Sequence, residues 1–162
     1  MNRRRFVMSA SVVALSPLVI QRLSTEAIAA HGEIDKIQKT EAEWREILTK
    51  QEFYILREEG TEQRRTSELN DEKRAGTYIC AGCELPLFKS EWKYDSGTGW
   101  PSFYRVMADH IKTKTDFKMV WPRTEYHCAR CGGHQGHVFD DGPEPTGKRW
   151  CNNGAALDFV PS

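Results

Sequence analysis

Hydrophobic positions recur in three different rhythms along this chain. Up to Ile20 a moderately apolar run follows the basic head Arg3-Arg4-Arg5-Phe6, broken by Ser9, Ser11 and Pro17. Between Thr40 and Gly60 the apolar residues take helical spacing. Thr40-Glu41-Ala42-Glu43 and Thr49-Lys50-Gln51-Glu52 each place Thr three residues before Glu, the reciprocal cap of a helix start. Two short helices are predicted, the first presenting Trp44, Ile47 and Leu48, the second presenting Phe53, Ile55 and Leu56 until Gly60 stops it. The charged, apolar-poor stretch Thr61 to Lys73 reads as a surface loop.

Beyond Gly76 the rhythm shortens to strand-like runs divided by Gly and Pro: Thr77–Cys80, Leu85–Phe88, Trp92–Tyr94, Phe103–Met107, Ile111–Lys114, Lys118–Trp121, His137–Phe139 and Ala155–Val160. The expectation is a mainly β fold, an antiparallel sheet pair or small open barrel behind two short N-terminal helices. With 162 residues, one domain is expected.

The first segment reads as an address. Its apolar run falls short of the about 20 residues a membrane helix needs, yet it suits a signal-peptide core, and Ala27-Ile28-Ala29 supplies a small-x-small cleavage site. Two arginines followed one residue later by Phe resemble a twin-arginine signal, used for proteins exported already folded. Residues 1–29 are thus read as signal peptide and residues 30–162 as the single folded domain, bacterial and periplasmic or otherwise extracytoplasmic, with no stable membrane span after processing. The competing reading is an uncleaved anchor.

Hydrophobic residues make up 39% and charged residues 28%, and Lys+Arg balances Asp+Glu at 23 each, which argues against disorder and against a nucleic-acid partner. Five cysteines are an odd number, so any pairing leaves one over. Cys80-Ala-Gly-Cys83 and Cys128-Ala-Arg-Cys131 have the spacing of two metal knuckles, together the four thiolates of a closed structural zinc site. The 44 residues between them exceed a local zinc ribbon, so such a site ties distant segments together. The alternative is a pair of redox or structural disulfides, which an oxidising compartment favours. Cys151 stands alone in Arg149-Trp150-Cys151-Asn152-Asn153. A lone cysteine can be a buried apolar residue, but the charge of Arg149 and the asparagine amides favour a thiolate nucleophile.

From Thr77 to Ser162 the chain resembles the B-type methionine sulfoxide reductases, the peptide-methionine (R)-S-oxide reductases. The likeness runs through TYICAGCELPLF, YDSGTGWPSFY, CARCGGHQGHVFDDGP and GKRWCNNGAALDF, and extends to REEGTEQRRTSEL before them. It implies two antiparallel sheets in a twisted, barrel-like arrangement and one structural Zn2+ on Cys80, Cys83, Cys128 and Cys131. It further implies Cys151 as the attacking thiol, Trp100 as the wall for the substrate methyl, and His134, His137, Arg149 and Asn153 as polar surroundings. The implied reaction reduces methionine-R-sulfoxide in oxidised proteins, through a cysteine sulfenic acid that a thioredoxin-like thiol donor returns to thiol. Either histidine could supply the proton for the sulfoxide oxygen. Two positions depart from the family pattern: Thr98 stands where many members carry a second redox cysteine, and Gly154 where Ser usually follows the asparagine. Two other classes remain open from the residues alone, a zinc-ribbon-like peptide-binding module and a thiol-disulfide carrier.

Overall fold

The computed structural model describes residues 34–118 and 121–162. The expected signal at 1–29, its cleavage site and the anchor alternative lie outside the described residues. Among the described residues no helix is long and apolar enough to cross a membrane.

Both predicted helices form at their predicted caps. In α1 (Glu41–Ile47) the Thr40 amide donates to Glu43 Oε2 at 2.6 Å and the Glu43 amide donates to Thr40 Oγ1 at 3.3 Å; Thr49 and Glu52 repeat the arrangement ahead of α2 (Lys50–Glu58). Each such cap is worth about 1 kcal/mol. Trp44, Leu48, Phe53, Ile55 and Leu56 are buried as expected, but Ile47 faces solvent. Glu59, in the left-handed conformation, ends α2 just before Gly60. The Arg57 guanidinium stacks on Trp44 and donates to the Cys131 carbonyl at 3.1 Å, tying the helix pair to the second cysteine knuckle.

Among the described residues nine strands follow: β1 (Gly76–Cys80), β2 (Pro86–Lys89), β3 (Lys93–Tyr94), β4 (Ser102–Phe103), β5 (Ile111–Asp116), β6 (Arg123–Cys128), β7 (His134–Phe139), β8 (Arg149–Asn152) and β9 (Leu157–Pro161). They build two antiparallel sheets, β2-β1-β9 and β3-β4-β8-β7-β6-β5. The barrel-like arrangement is not found. Both sheets are open, and the outer strands β3 and β5 do not pair. Closure needs strands long enough to tilt and stagger around an axis, whereas β3 and β4 are two residues each.

Between the sheets and α2 lies an aromatic core in which Phe88 stacks on Phe103 with centroids 4.0 Å apart and Tyr78 meets Phe103 edge-on. The expected strand Phe103–Met107 stops at Phe103, and Lys118 and Trp121 of the expected Lys118–Trp121 lie outside any strand. Hydrophobic rhythm missed β6 because Arg-Thr-Glu-Tyr-His-Cys is polar, although Glu125, Tyr126 and Cys128 are buried.

Candidate active site

Cys151 sits in the middle of the larger sheet. Across the ladders it faces Ser102 of β4 on one side and His137 of β7 on the other. His137 in turn faces Glu125, and Glu125 faces Lys114. Directly opposed residues share a sheet face, so Ser102, Cys151, His137, Glu125 and Lys114 form one row across five strands. Beside Cys151, a Cβ on Gly136 would collide with the Cys151 carbonyl, so the close approach of β7 to β8 requires glycine. A cleft of about 110 Å³ opens over the sulfur, lined by Thr61, Trp100, Arg123, His137, Phe139 and Asn153 among others.

The sequence expectation of a depressed Cys151 pKa is corrected by the surroundings. Burial pushes the thiol above its ordinary value; the Arg149 charge and hydrogen bonds involving Thr98, Arg149 and Ser102 oppose this without reversing it. Arg149 is held in place by Asp141, with two contacts of 2.8 Å, and by stacking on Phe139 at 4.2 Å. The Thr98 hydroxyl also hydrogen-bonds Ser96 Oγ at 2.8 Å, and Ser96 Oγ reaches Ser102 Oγ at 2.7 Å. The hydroxyls that act on the Cys151 thiol, those of Thr98 and Ser102, are therefore linked to each other through Ser96.

The two histidines of Gly-His-Gln-Gly-His separate. His137 lines the cleft, and its Nε2 hydrogen-bonds Asp116 Oδ2 at 2.8 Å. Arg123 reaches the same oxygen at 2.7 Å. The Lys118 amide first, then His137 and Arg123, hold the Asp116 carboxyl far below the usual range. Burial lowers His137, and Asp116 partly restores it. His134 is not among the cleft residues; it lies beside Glu125 and His127, with its ring 5.5 Å from that of His137, and burial lowers it to about 4.

Asn153 lines the cleft, but its side-chain amide is committed to the backbone: Nδ2 donates to the Gln135 carbonyl at 3.0 Å and Oδ1 accepts the Glu62 amide at 3.0 Å. Sequence reasoning missed Glu62, Asp116 and Arg123. Glu62 lies in the stretch read as a surface loop, yet it is buried. Its carboxylate accepts the amides of Gly154 at 2.6 Å and Ala155 at 2.9 Å, and its carbonyl accepts Trp100 Nε1 at 3.2 Å. An acid inside Gly-Thr-Glu, at the edge of a hydrophilic run, carried no signal of burial.

Away from this cleft the two knuckles converge. The sulfurs of Cys80 and Cys131 are 3.7 Å apart, those of Cys83 and Cys128 are 3.4 Å apart, and all four lie within 4.8 Å of one another. A tetrahedral zinc with bonds of about 2.3 Å spaces its sulfurs about 3.8 Å apart, whereas a disulfide requires about 2.05 Å. All five cysteines are free. Gln135 Nε2 donates to Cys80 Sγ at 3.3 Å and the Gly133 amide donates to Cys131 Sγ at 3.4 Å, the outer contacts that thiolate ligands attract. Spacing, donors and burial fit a closed structural zinc site on Cys80, Cys83, Cys128 and Cys131.

The sequence profile described as "SelR domain" matches residues 48–161, more than half of the 162-residue chain. The chain belongs to the SelR family. It is 53% identical over 119 residues to the chloroplastic peptide methionine sulfoxide reductase B1 of Oryza sativa subsp. japonica, a match covering 73% of this chain and 56% of that protein. The corresponding Arabidopsis thaliana protein is 51% identical, with 73% and 59% covered. This SelR chain thus spans a little over half the length of those two plant relatives. Against the peptide methionine sulfoxide reductase MsrB of Hahella chejuensis (strain KCTC 2396), identity is 49% over 127 residues, covering 78% of this chain and 91% of that one.

Of the two departures from the family pattern, Gly154 has a structural reason. A Cβ there would run into Ser67 Oγ, so the loop that brings Glu62 and Ser67 against the segment after Cys151 excludes a side chain at this position.

Proposed function

We propose that this SelR chain is a peptide-methionine (R)-S-oxide reductase acting on oxidised proteins, with Cys151 as nucleophile. The observation that carries the reading is the placement of a single cysteine, outside the zinc cluster, in a cleft it shares with Trp100 and His137. The Cys151 sulfur attacks the sulfoxide sulfur as its oxygen takes up a proton. The hydroxyl then passes from the methionine sulfur to the Cys151 sulfur as the S–S bond between them breaks, releasing methionine and leaving Cys151 as a sulfenic acid. One thiol of an external dithiol then forms a mixed disulfide with Cys151 and releases water. Its second thiol breaks that bond, returning Cys151 and leaving the donor oxidised. With four cysteines committed to zinc and Thr98 beside the sulfur, the reductant comes from outside, and a thioredoxin-like protein has the required dithiol.

His137 is the acid of this scheme. Its Nε2–H donates to Asp116, so the transferable proton resides on Nδ1, and the carboxylate supports the imidazolium. Arg149 stabilises the Cys151 thiolate as the proton leaves. Trp100, its indole anchored on the Glu62 carbonyl, offers its face to the methyl as positive charge develops on sulfur. Asn153 and His134 act on the site through the backbone and buried contacts described above. Zinc supplies a cross-link between the knuckles and takes no part in these steps.

The same reading includes export of residues 30–162 after cleavage near Ala29, supported by the arginines, apolar run and small-x-small site of the N-terminus. Turnover of a methionine-R-sulfoxide peptide with dithiothreitol tests the activity: it should vanish in Cys151→Ser with zinc retained. Sequencing the N-terminus of protein from a periplasmic fraction tests the export, and an intact Met1 in the cytoplasm alone would remove that part.

A further inference from the structure

The geometry points to a second metal site, built by Glu125, His127 and His134, that takes a divalent ion of the zinc, cobalt, nickel and copper class. Glu125 and His127 are alternate residues of β6 and share a face; His134 of β7 is the registered partner of His127. One ligand atom from each of the three lies within 4.8 Å of the others. His134 Nδ1 is 3.1 Å from Glu125 Oε2, and His127 Nε2 is 3.5 Å from Glu125 Oε1. Nitrogen and oxygen ligands about 2.0–2.1 Å from a common tetrahedral ion stand about 3.3–3.5 Å apart; the two contacts fall near that spacing and reach different oxygens of Glu125, so the carboxylate would bind through both oxygens or turn to present one.

Hydrogen bonding leaves ring nitrogens here without protein partners. His127 Nδ1 lies 3.2 Å from the Gly132 carbonyl, which can only accept, so Nδ1 serves as the donor and Nε2 is the nitrogen left to act as a ligand. His134 is 1% exposed, and both of its ring nitrogens are buried without a hydrogen-bond partner; its approach to Glu125 is close but off the line such a bond requires. His127 Nε2 is likewise buried and unpartnered. Three buried ring nitrogens without partners around one carboxylate are costly as protein alone, and a metal ion would use two of them as ligands.

One cation is already close. Lys114 Nζ is 3.0 Å from Glu125 Oε1. It is half-exposed and also pairs with Glu59 at 2.6 Å, so it can retire to Glu59 when an ion arrives. A cleft of about 490 Å³ bounded by Ile37, Glu59, Lys112, Lys114 and His127 reaches one member of the trio, His127. Two imidazoles and a carboxylate suit borderline divalent ions. The donor set differs from the four thiolates next to it, so the two sites can be told apart.

The test uses the full chain holding its one thiolate-bound zinc, titrated with Zn2+ and followed by metal analysis and ring 15N shifts. A second equivalent is expected, with His127 Nε2 and a His134 ring nitrogen moving on binding. His127→Ala should weaken the second equivalent by at least the roughly 10–100-fold that loss of even an outer contact costs, while keeping the first, which also reports an intact fold. Cys151→Ser should keep both. Uptake that stops at one, a second equivalent undiminished in His127→Ala, or one lost in Cys151→Ser overturns the site. Should His127→Ala shed its first zinc, the ring shifts of the unaltered protein decide the matter alone.

Discussion

Gln135 donates its side-chain amide to the Cys80 sulfur at 3.3 Å. Its Oε1 accepts Asn152 Nδ2 at 3.4 Å, and Asn152 follows Cys151. One buried side chain thus joins the zinc cluster to the strand that carries Cys151. As isolated, the protein should hold about one tight zinc per chain. Cys80→Ser should lose it, with destabilisation of several kcal/mol, because metal binding and folding are linked. Anaerobically purified protein with no metal and two disulfides among the four cysteines would contradict this.

Arg149 opposes the burial of Cys151. Removing its charge leaves burial to favour the neutral thiol further, so Arg149→Ala should move the pH profile of Cys151 alkylation to higher pH and remove most turnover. Thr98→Val should shift the profile in the same direction by less. Iodoacetamide rates across pH check both, and superimposable profiles would take Arg149 out of the activation scheme.

The Thr98 hydroxyl helps to lower the Cys151 thiol, so on the proposed chemistry the place from which an internal thiol would act is filled by a hydroxyl. After one equivalent of methionine-R-sulfoxide without reductant, a sulfenic-acid trap should label Cys151 with zinc still bound. Thr98→Cys should instead give an intramolecular disulfide at Cys151 and resist peroxide during turnover better than the unaltered enzyme. Non-reducing peptide maps distinguish the two, and a bond from Cys151 to one of the four cluster cysteines would sink the scheme.

Glu62 serves both sides of the cleft from a loop. Glu62→Leu leaves the Gly154 and Ala155 amides without their acceptor, at a cost of roughly 2–3 kcal/mol or more. With Trp100 and Asn153 both resting on its backbone, turnover should fall more than stability alone explains, and Glu62→Gln should recover part of each. Urea melts beside kcat and KM separate these effects; a destabilised variant with unchanged kinetics would assign Glu62 to the fold only.

Burial lowers His134 to about 4. An unfolded histidine protonates near 6.5, so the unfolded state binds the extra proton first as pH falls. The stability linked to neutral His134 is complete above about 6.5 and is lost as pH drops toward about 4. Ring NMR through that range, with zinc content followed in parallel, should show His134 neutral until about 4. Titration near 6.5 in the folded protein would refute it.

Local chemistry was legible in the sequence, and long-range convergence only in part. Thr40 and Thr49 announce their helices because a cap is settled within four residues. The knuckle pairs announce zinc because each pair is locally spaced, and Cys151 stands out by subtraction. The polar strand β6 and the burial of Glu62 were invisible, since Glu125, Tyr126 and Glu62 become interior only through partners far along the chain. The barrel failed for a related reason: apolar spacing and resemblance suggested many short strands, but pairing at the outer edges decides closure.

The cleft over Cys151 has room for a side chain and little else. On the proposed chemistry, a sulfoxide must present itself on an accessible loop or an opened segment before the sulfur can reach it. Damage inside a client's core would wait for that core to open, so repair rates across clients would rank them by how readily each exposes its own interior.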